Sequence, residues 1–376
     1  MMKIAFADKL GKFLARTTRI QHRSLSFERT QSISNPGTKA VHVEHSSVKA
    51  SEHSANASGK SETSSILLST KETELVDILL RRTLKLVNAS SSNVIAYSGG
   101  VDSSLAAALV QRVFTDKTSG NPGSFSSGSV TAVLGLSPAV PPEQIETARS
   151  VAAVIGVDLL EVSTQEGTDP TYVANKGQAC LACKTHLYSA LNAVAAAALD
   201  MERVGRDGSV ILYNGTNADD TKDPTRLGLV AASKFRVESP LLHTTKSDVR
   251  RAAKHLGLPN WNHAAAPCLR SRLAFGVEAT RKHLEIVGEA ERRVRKALKL
   301  DHSANMRVRY LAGKRAMVEV DERVLRDIDA ESVLQHEGFS GVFSELGFES
   351  YGVRAFKSGS VAAVVVEESI GAGNAS

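Results

Sequence analysis

The sequence predicts an α/β fold, a parallel sheet flanked by helices, with a smaller C-terminal α+β domain behind it. Three observations carry that expectation. Short apolar runs alternate with helical stripes in the order β-α-β-α-β, an alternation that a parallel sheet covered on both faces accommodates. A Gly-Gly turn stands between the first run and the next helix, at the strand end where such sheets bind ligands. From Thr280 the texture changes to a charged helix followed by strands, which belongs to a different architecture.

The elements follow in order. A helix is expected over Glu72–Val87, because Leu75, Ile78, Leu79, Leu84 and Val87 approximate a 3.6-residue stripe. Val94–Tyr97 reads as a buried strand, Asp102–Phe114 as a helix, Val130–Leu136 as a strand, Glu143–Ile155 as a helix and Asp158–Val162 as a strand. The Gly/Ser-rich stretch Thr118–Ser129 reads as a surface insertion. Helices near Lys184–Leu199 and Lys246–Leu256 and a strand at Val210–Tyr213 complete the first domain. The second has a helix from Thr280 to about Leu298, strands at Met306–Tyr310 and Ala316–Val320, a helical region, and a strand at Val361–Val366.

Charge is distributed unevenly along the 376 residues. Residues 1–60 carry ten Lys/Arg against four Asp/Glu, which leaves 36 against 36 in the rest and accounts for the whole net charge of +6. A chain-wide basic surface for nucleic acid is therefore not indicated. Residues 1–70 have the composition of a leader and linker. Ile4, Phe6, Leu10, Phe13 and Leu14 can share a helical face, and an acid-poor, Ser-rich stretch follows. A transit peptide with a mitochondrial destination is one reading, an extension without an address on a cytoplasmic protein the other. No apolar run is long enough to span a bilayer, and three cysteines do not make a secreted disulfide scaffold.

The segment Ser98-Gly99-Gly100-Val101-Asp102-Ser103-Ser104 lies between the first strand and its helix. Two glycines let the backbone turn and approach an anion, the serines supply hydroxyl donors, and the helix start supplies unpaired N–H groups. Asp102 suits a magnesium ion on nucleotide phosphates, since that ion prefers oxygen ligands. The plain alternative is a glycine turn followed by an ordinary helix cap. The loop is neither a Walker sequence nor a dinucleotide fingerprint.

Cys180 and Cys183 form a C-x-x-C step, and Cys268 lies in Pro267-Cys268-Leu269-Arg270-Ser271-Arg272. Three thiols suit a four-iron cluster with one open iron, a zinc site completed by His186, or plain reduced cysteines. Spacing leaves the three readings open.

Ser98–Ser104 resembles the PP-loop of the ATP pyrophosphatase superfamily. Gly215-Thr216-Asn217-Ala218-Asp219-Asp220, Ser239-Pro240-Leu241, Lys246, Leu258-Pro259-Asn260-Trp261, Pro267-Cys268-Leu269, Ser271-Arg272, Gly276 and Arg307-Val308-Arg309 resemble, in that order, the LarE family of ATP-dependent sulfur transferases. The resemblance implies a Rossmann-like fold of the HUP (adenine nucleotide alpha hydrolase) class, with the ATP pyrophosphatase domain at 71–275, a sulfur-transferase domain at 276–368 and a tail at 369–376. It implies ATP and Mg²⁺, and adenylation of a carboxylate on a pyridinium dicarboxylate mononucleotide. Pyrophosphate is released, and sulfur is delivered to give a thiocarboxylate for a nickel-pincer nucleotide. By motif match Ser98, Gly99, Gly100, Val101, Asp102, Ser103, Ser104, Thr216 and Asn217 bind ATP, Asp219 and Asp220 serve magnesium, and Ser271, Arg272, Arg307 and Arg309 bind the substrate. Cys180, Cys183 and Cys268 match the members that hold a [4Fe-4S] cluster, with sulfur taken from the open iron. The resemblance also implies a small-molecule nucleotide substrate, a sulfur donor and a homo-oligomer, with neither membrane nor nucleic acid as partner.

The rival readings are a PP-loop tRNA thiolation enzyme, disfavoured by the neutral body and the 5% aromatic content, and an ammonia-using NAD/GMP-synthase-like synthetase, which has no use for the cysteines. A non-catalytic nucleotide-binding regulator would differ from all of these in lacking pyrophosphate turnover.

Overall fold

The computed structural model describes residues 59–89, 91–119, 128–201, 209–222, 227–327 and 337–357. The leader, the middle of the Gly/Ser-rich insertion and the strand expected at Val361–Val366 lie outside them.

Strands β1 (Ser92–Tyr97), β2 (Ser129–Leu136), β3 (Asp158–Ser163) and β4 (Val210–Tyr213) pair in parallel in the order β3-β2-β1-β4. The fold is the predicted α/β class. Helices α1 (Gly59–Leu84), α2 (Val101–Ser119), α3 (Pro142–Ile155), α4 (Pro170–Ala174) and α5 (Ala179–Met201) precede and connect the strands. Side chains alternate across the sheet, as a two-residue period requires. Val94, Val133 and Leu212 face Tyr188 and Leu191 of α5 on one side. Ile95, Ala132, Leu134 and Tyr213 face Val110 of α2 and Ala148 and Ala152 of α3 on the other. Burying a side chain such as Ile95 fully stabilises the sheet by roughly 1.5–3 kcal/mol.

Several bounds differ from expectation for local reasons. Helix α1 starts at Gly59, before the expected Glu72; its first turns are Ser- and Thr-rich and give the sequence no 3.6-residue stripe to read. Helix α5 starts at Ala179 instead of Lys184, which places Cys180 and Cys183 in its first turns. Helix α4 was not expected. Asp169 caps it by accepting from the Thr171 N–H, and Pro170 supplies its first position.

Past β4 come α6 (Leu227–Lys234), α7 (Lys246–His255), a short 3₁₀ turn (Leu269–Arg272) and α8 (Arg281–Ala297). Thr280 caps α8, and Leu284, Val287, Ala290 and Val294 form its buried stripe. Strands β5 (Met306–Leu311) and β6 (Arg315–Val320) are antiparallel, and β7 (Ser350–Ala355), preceded by α9 (Glu322–Asp327) and α10 (Glu337–Glu345), pairs parallel to β6. Strand β7 falls where only helix was read, because Gly352 interrupts a half-buried run with a weak period. The core under this second sheet reaches back to Ala139, Tyr172 and Ala179.

One feature of the topology positions the site. From β1 the chain runs to β2 and β3 on one side, then places β4 on the other. The carboxyl ends of β1 and β4 therefore flank the crevice at which the strand order reverses, the preferred ligand position in open α/β sheets.

Candidate active site

The loop after β1 is locked from three sides. Gly99 is left-handed (φ 72°), and a Cβ there would lie 2.6 Å from Cα and Cβ of Ala148 on α3, so only glycine fits. Gly215, after β4, packs so closely that a Cβ would lie 2.6 Å from the Asp102 carbonyl carbon and the Ser103 nitrogen. Asn260, fully buried, donates through Nδ2 to the Gly99 carbonyl (2.7 Å) and to Ser104 Oγ (3.0 Å). Within the loop, Ser103 Oγ donates to the Gly100 carbonyl (3.1 Å) and accepts from the Ser98 N–H (3.2 Å).

Asn217 ties the β4 loop to the first turn of α2. Its Nδ2 donates to Asp102 Oδ1 (3.0 Å), and its Oδ1 accepts from the Asp219 (2.9 Å) and Asp220 (3.2 Å) N–H groups. The other Asp102 oxygen pairs with Lys246 Nζ at the start of α7. Asp219 accepts from Lys222 Nζ (2.7 Å) and the Lys246 N–H (2.7 Å). The Lys222 bond first, then the Lys246 N–H, holds its carboxyl below the usual range. Asp220 Oδ2 accepts from the Asn217 N–H (3.1 Å). The Asp pair is thus engaged in shaping its own turn. Among the described residues, no group of three or more His, Cys, Asp and Glu side chains is arranged to hold a metal ion. Asp102 fits magnesium on a bound nucleotide as a single carboxylate, the usual arrangement when phosphates and water supply the other ligands.

A cleft of about 520 Å³ opens from this loop. Ser98, Gly99, Gly100, Val101, Asp102 and Lys246 line one end, and Arg272, Glu291, Arg295 and Arg307 the other, with Ala264–Pro267 between. Arg307 donates to the Ala265 carbonyl (3.0 Å) and lies over the Phe356 ring. Burial, then the charges of Arg272 and Arg309, pull its pKa down to about 10. Burial likewise lowers that of Arg295. Positive charge is crowded at this end, so an incoming anion relieves repulsion as well as making bonds.

The three cysteines gather behind that cleft. Cys183 and Cys268 pack against the core of the second sheet, while Cys180 is exposed. Arg270 lies among them, donating from one Nη to Cys180 Sγ (2.9 Å) and from the other to Asn175 Oδ1 (2.8 Å). Burial first, then the neighbouring Cys268 charge, pushes the Cys183 thiol up to about 12. Cys180, Cys183 and Cys268, the residues expected to hold a [4Fe-4S] cluster, thus share one neighbourhood. In this arrangement a guanidinium is bonded to the sulfur of one of them, Cys180. His186, which would complete the zinc alternative, is engaged with Asp169 Oδ2 (3.0 Å).

Other expected residues sort by position. Ser98, Gly99, Gly100, Val101, Asp102, Arg272 and Arg307 line one cleft. Ser104 is buried under Asn260, and Ser103 Oγ is occupied within the loop, so both shape the loop more than they present donors. Thr216 lies in the β4 turn, where its N–H is held by Asn214 Oδ1 (3.0 Å). Arg272 is only 3% exposed. Its guanidinium pairs with Glu291 (2.8 Å) and donates to the Pro267 carbonyl (2.5 Å) and to Ser271 Oγ (3.1 Å), so it braces the Cys268 segment. Arg309 turns away from the cleft. It is buried against Glu319 (2.9 Å) and donates to the Ser271 carbonyl (2.6 Å), because Glu319 on the paired strand β6 draws it away from Arg307, with which it shares a face of β5. Asn260, Glu291 and Arg270 received no role from the sequence. The Leu258-Pro259-Asn260-Trp261 string is the signal for the first and the Pro267–Arg272 string for Arg270, while nothing marks Glu291.

No family model matches the chain. It is 36% identical over 200 residues to an uncharacterized protein of Synechocystis, covering 53% of this chain and 66% of that one. It is 29% identical over 203 residues to the pyridinium-3,5-bisthiocarboxylic acid mononucleotide synthase of Lactiplantibacillus plantarum, covering 54% and 66%. The chain is homologous to both proteins. It spans just under two thirds of the length of each. An NMN synthetase structure from Francisella tularensis covers 53% of this chain and 75% of its own, at 16% identity and a TM-score of 0.34; the fold assignment rests on the strand order instead. The mitochondrial expectation gains no support, since its residues are outside the described set and both relatives are bacterial, which is compatible with the cytoplasmic alternative. Among the described residues no helix is long and apolar enough to cross a membrane.

Proposed function

We propose that the chain adenylates the carboxylate of a pyridinium dicarboxylate mononucleotide-like acid at the expense of ATP, and then replaces the activated oxygen with sulfur. One observation carries this reading: the phosphate loop and Arg307 line the same cleft, and Pro267 and Leu269, on either side of Cys268, line it too. Similarity to a thiocarboxylate-forming synthase supports the choice of chemistry.

The triphosphate docks on the Gly99–Gly100 turn at the start of α2, where N–H groups and the helix dipole favour negative charge. Lys246 leaves Asp102 for a phosphate oxygen, freeing Asp102 for a magnesium ion. The acid is held by Arg307, and its carboxylate oxygen attacks the α-phosphorus with pyrophosphate as the leaving group. The acyl-adenylate makes a poor electrophile reactive, because AMP departs where oxide could not. Cys268 reaches it by a turn of the irregular Ala264–Pro267 segment.

The test is mass spectrometry of the acid after reaction with ATP and a sulfur donor. The expected product has one carboxyl oxygen replaced by sulfur, and Arg307→Met raises KM for the acid with little change in ATP affinity. An amide formed from ammonia would establish the rival synthetase instead.

A further inference from the structure

Two of the three arginines expected to hold the acid are spent elsewhere. Arg272 is paired with Glu291 and Arg309 with Glu319, so among the described residues only Arg307 keeps a guanidinium without a carboxylate partner. One such group is little for an acid that carries two carboxylates and a phosphate. The cleft holds a second basic cluster, where the loop after α7 meets the turn between α8 and β5. There the Ala264 N–H donates to the His302 carbonyl (2.9 Å), and the His263 and His302 rings stack with centroids 5.0 Å apart and planes 26° from parallel. Both histidines line the cleft, and among the described residues no ring nitrogen of either has a hydrogen-bond partner. Arg250 donates to the Trp261 and His263 carbonyls (2.7 Å each), and Arg295 to the Asp301 (2.5 Å) and Ala304 (3.4 Å) carbonyls. These bonds pin the loop and the turn. Carbonyls cancel no charge, however, so two guanidinium charges stand close to the stacked rings.

We propose that His263 and His302 form a subsite for a phosphomonoester dianion, the phosphate of the mononucleotide acid, with Arg250 and Arg295 as positioning residues behind them. The inference deepens the proposed function and rests on it for the identity of the acid. Two stacked imidazolium rings beside two guanidiniums repel one another, so the pair is neutral when the cleft is empty. Burial first, then the charges of His302 and Arg250, lower the His263 pKa, with Asp301 opposing them. A dianion supplies the countercharge that lets both rings protonate, and each protonated ring then donates a charge-assisted N–H bond. Phosphate binding therefore takes up protons. The other charged groups around the pair are Arg250 on α7, Arg295 on α8 and Asp301, whose carboxyl the Ser303 hydroxyl (2.6 Å) and N–H (2.7 Å) hold below the usual range. Lys254 lies over the Trp261 ring, two residues before His263. Carboxylates, ammonium and guanidinium groups ordinarily keep their charge above neutrality, and a phosphomonoester is already a dianion there, so the pH dependence falls on the imidazoles.

The test compares the binding of pyridinium-3,5-dicarboxylic acid mononucleotide and of its riboside, which lacks the phosphate, to the full chain by calorimetry. At about pH 7 the mononucleotide should bind at least tenfold more tightly than the riboside, and the advantage should shrink severalfold by about pH 8.5, as proton linkage requires. In His263→Gln/His302→Gln the advantage should fall to about twofold at either pH, and in His302→Gln, at an exposed position, it should fall by a smaller factor. Equal affinities for the two compounds, or an advantage indifferent to both pH and the substitutions, would overturn the subsite. In wild type, inorganic phosphate followed by NMR of the histidine ring protons should raise the pKa of both residues and should compete with the mononucleotide but not with the riboside. Unmoved histidines, or phosphate that moves them without competing, would remove the assignment to the substrate's phosphate. The phosphate titration needs no acid, so the subsite is judged even where the acid fails to bind. AMP release, measured on the same samples, reads the proposed adenylation separately.

Discussion

Replacing Asn260 separates a loop held by directed hydrogen bonds from one held by filled space. Asn260→Ala removes two bonds, to the Gly99 carbonyl and Ser104 Oγ, each worth ~0.5–1.5 kcal/mol, and leaves the Gly99 carbonyl without this donor at a cost of ~1–3 kcal/mol. Part of this is returned, because Asn260 Oδ1 is itself buried without a partner and disappears with the side chain. The net is about 2–3 kcal/mol, a fall in Tm of roughly 5–10 °C for a domain of this size. ATP affinity should drop about tenfold if half of that cost falls on the loop's binding conformation, at 1.4 kcal/mol per decade. Asn260→Asp has the same shape but no donor, and sets a charged oxygen against a carbonyl. It should weaken ATP binding more than alanine does. Scanning calorimetry and titration with a non-cleavable ATP analogue read both quantities. An aspartate variant with wild-type ATP affinity would refute the hydrogen-bonding role, because shape alone would then suffice.

Further outcomes follow from the same geometry. Gly215→Ala should weaken ATP binding about tenfold or more by pushing the Asp102–Ser103 backbone, whereas Gly167→Ala, with nothing within 4 Å of its added carbon, should leave titrations unchanged. Glu319→Gln should cost ~3–5 kcal/mol in denaturant unfolding, since Glu319 is fully buried between Arg309 and Arg354 and the substitution removes the negative charge that both guanidiniums face. Hydrogen bonds from Arg292 and then Arg293 hold the Glu289 carboxyl at about 2, below its ordinary 4.5. The folded value is the lower one, so the stability it contributes is present above 4.5 and lost as pH falls toward 2. Glu289→Gln should flatten that part of the acid-unfolding curve, and added salt should do the same in wild type because the pair is partly exposed.

Much of this was legible in the sequence where local chemistry is strict. All four strands of the parallel sheet appear as apolar runs, and the glycine turn at Gly99–Gly100 declares both a backbone need and a place. What escaped depends on tertiary partners. The sequence places Arg307 and Arg309 on one strand face, but only the position of Glu319 on β6 decides that Arg309 turns inward. Arg270 looks like any surface arginine until Asn175 and Cys180 are brought to it from another segment. Strand β7 has no period of its own and exists because β6 offers an edge.

In the proposed reaction ATP and an acid share one cleft and react at the α-phosphorus. Its most direct test is to incubate the full chain with ATP, Mg²⁺ and pyridinium-3,5-dicarboxylic acid mononucleotide, and to resolve the nucleotide products. The account predicts AMP and pyrophosphate in equal amounts, formed only when the acid is present and abolished in Asp102→Ala. Formation of ADP and phosphate, or AMP release indifferent to the acid, would contradict it.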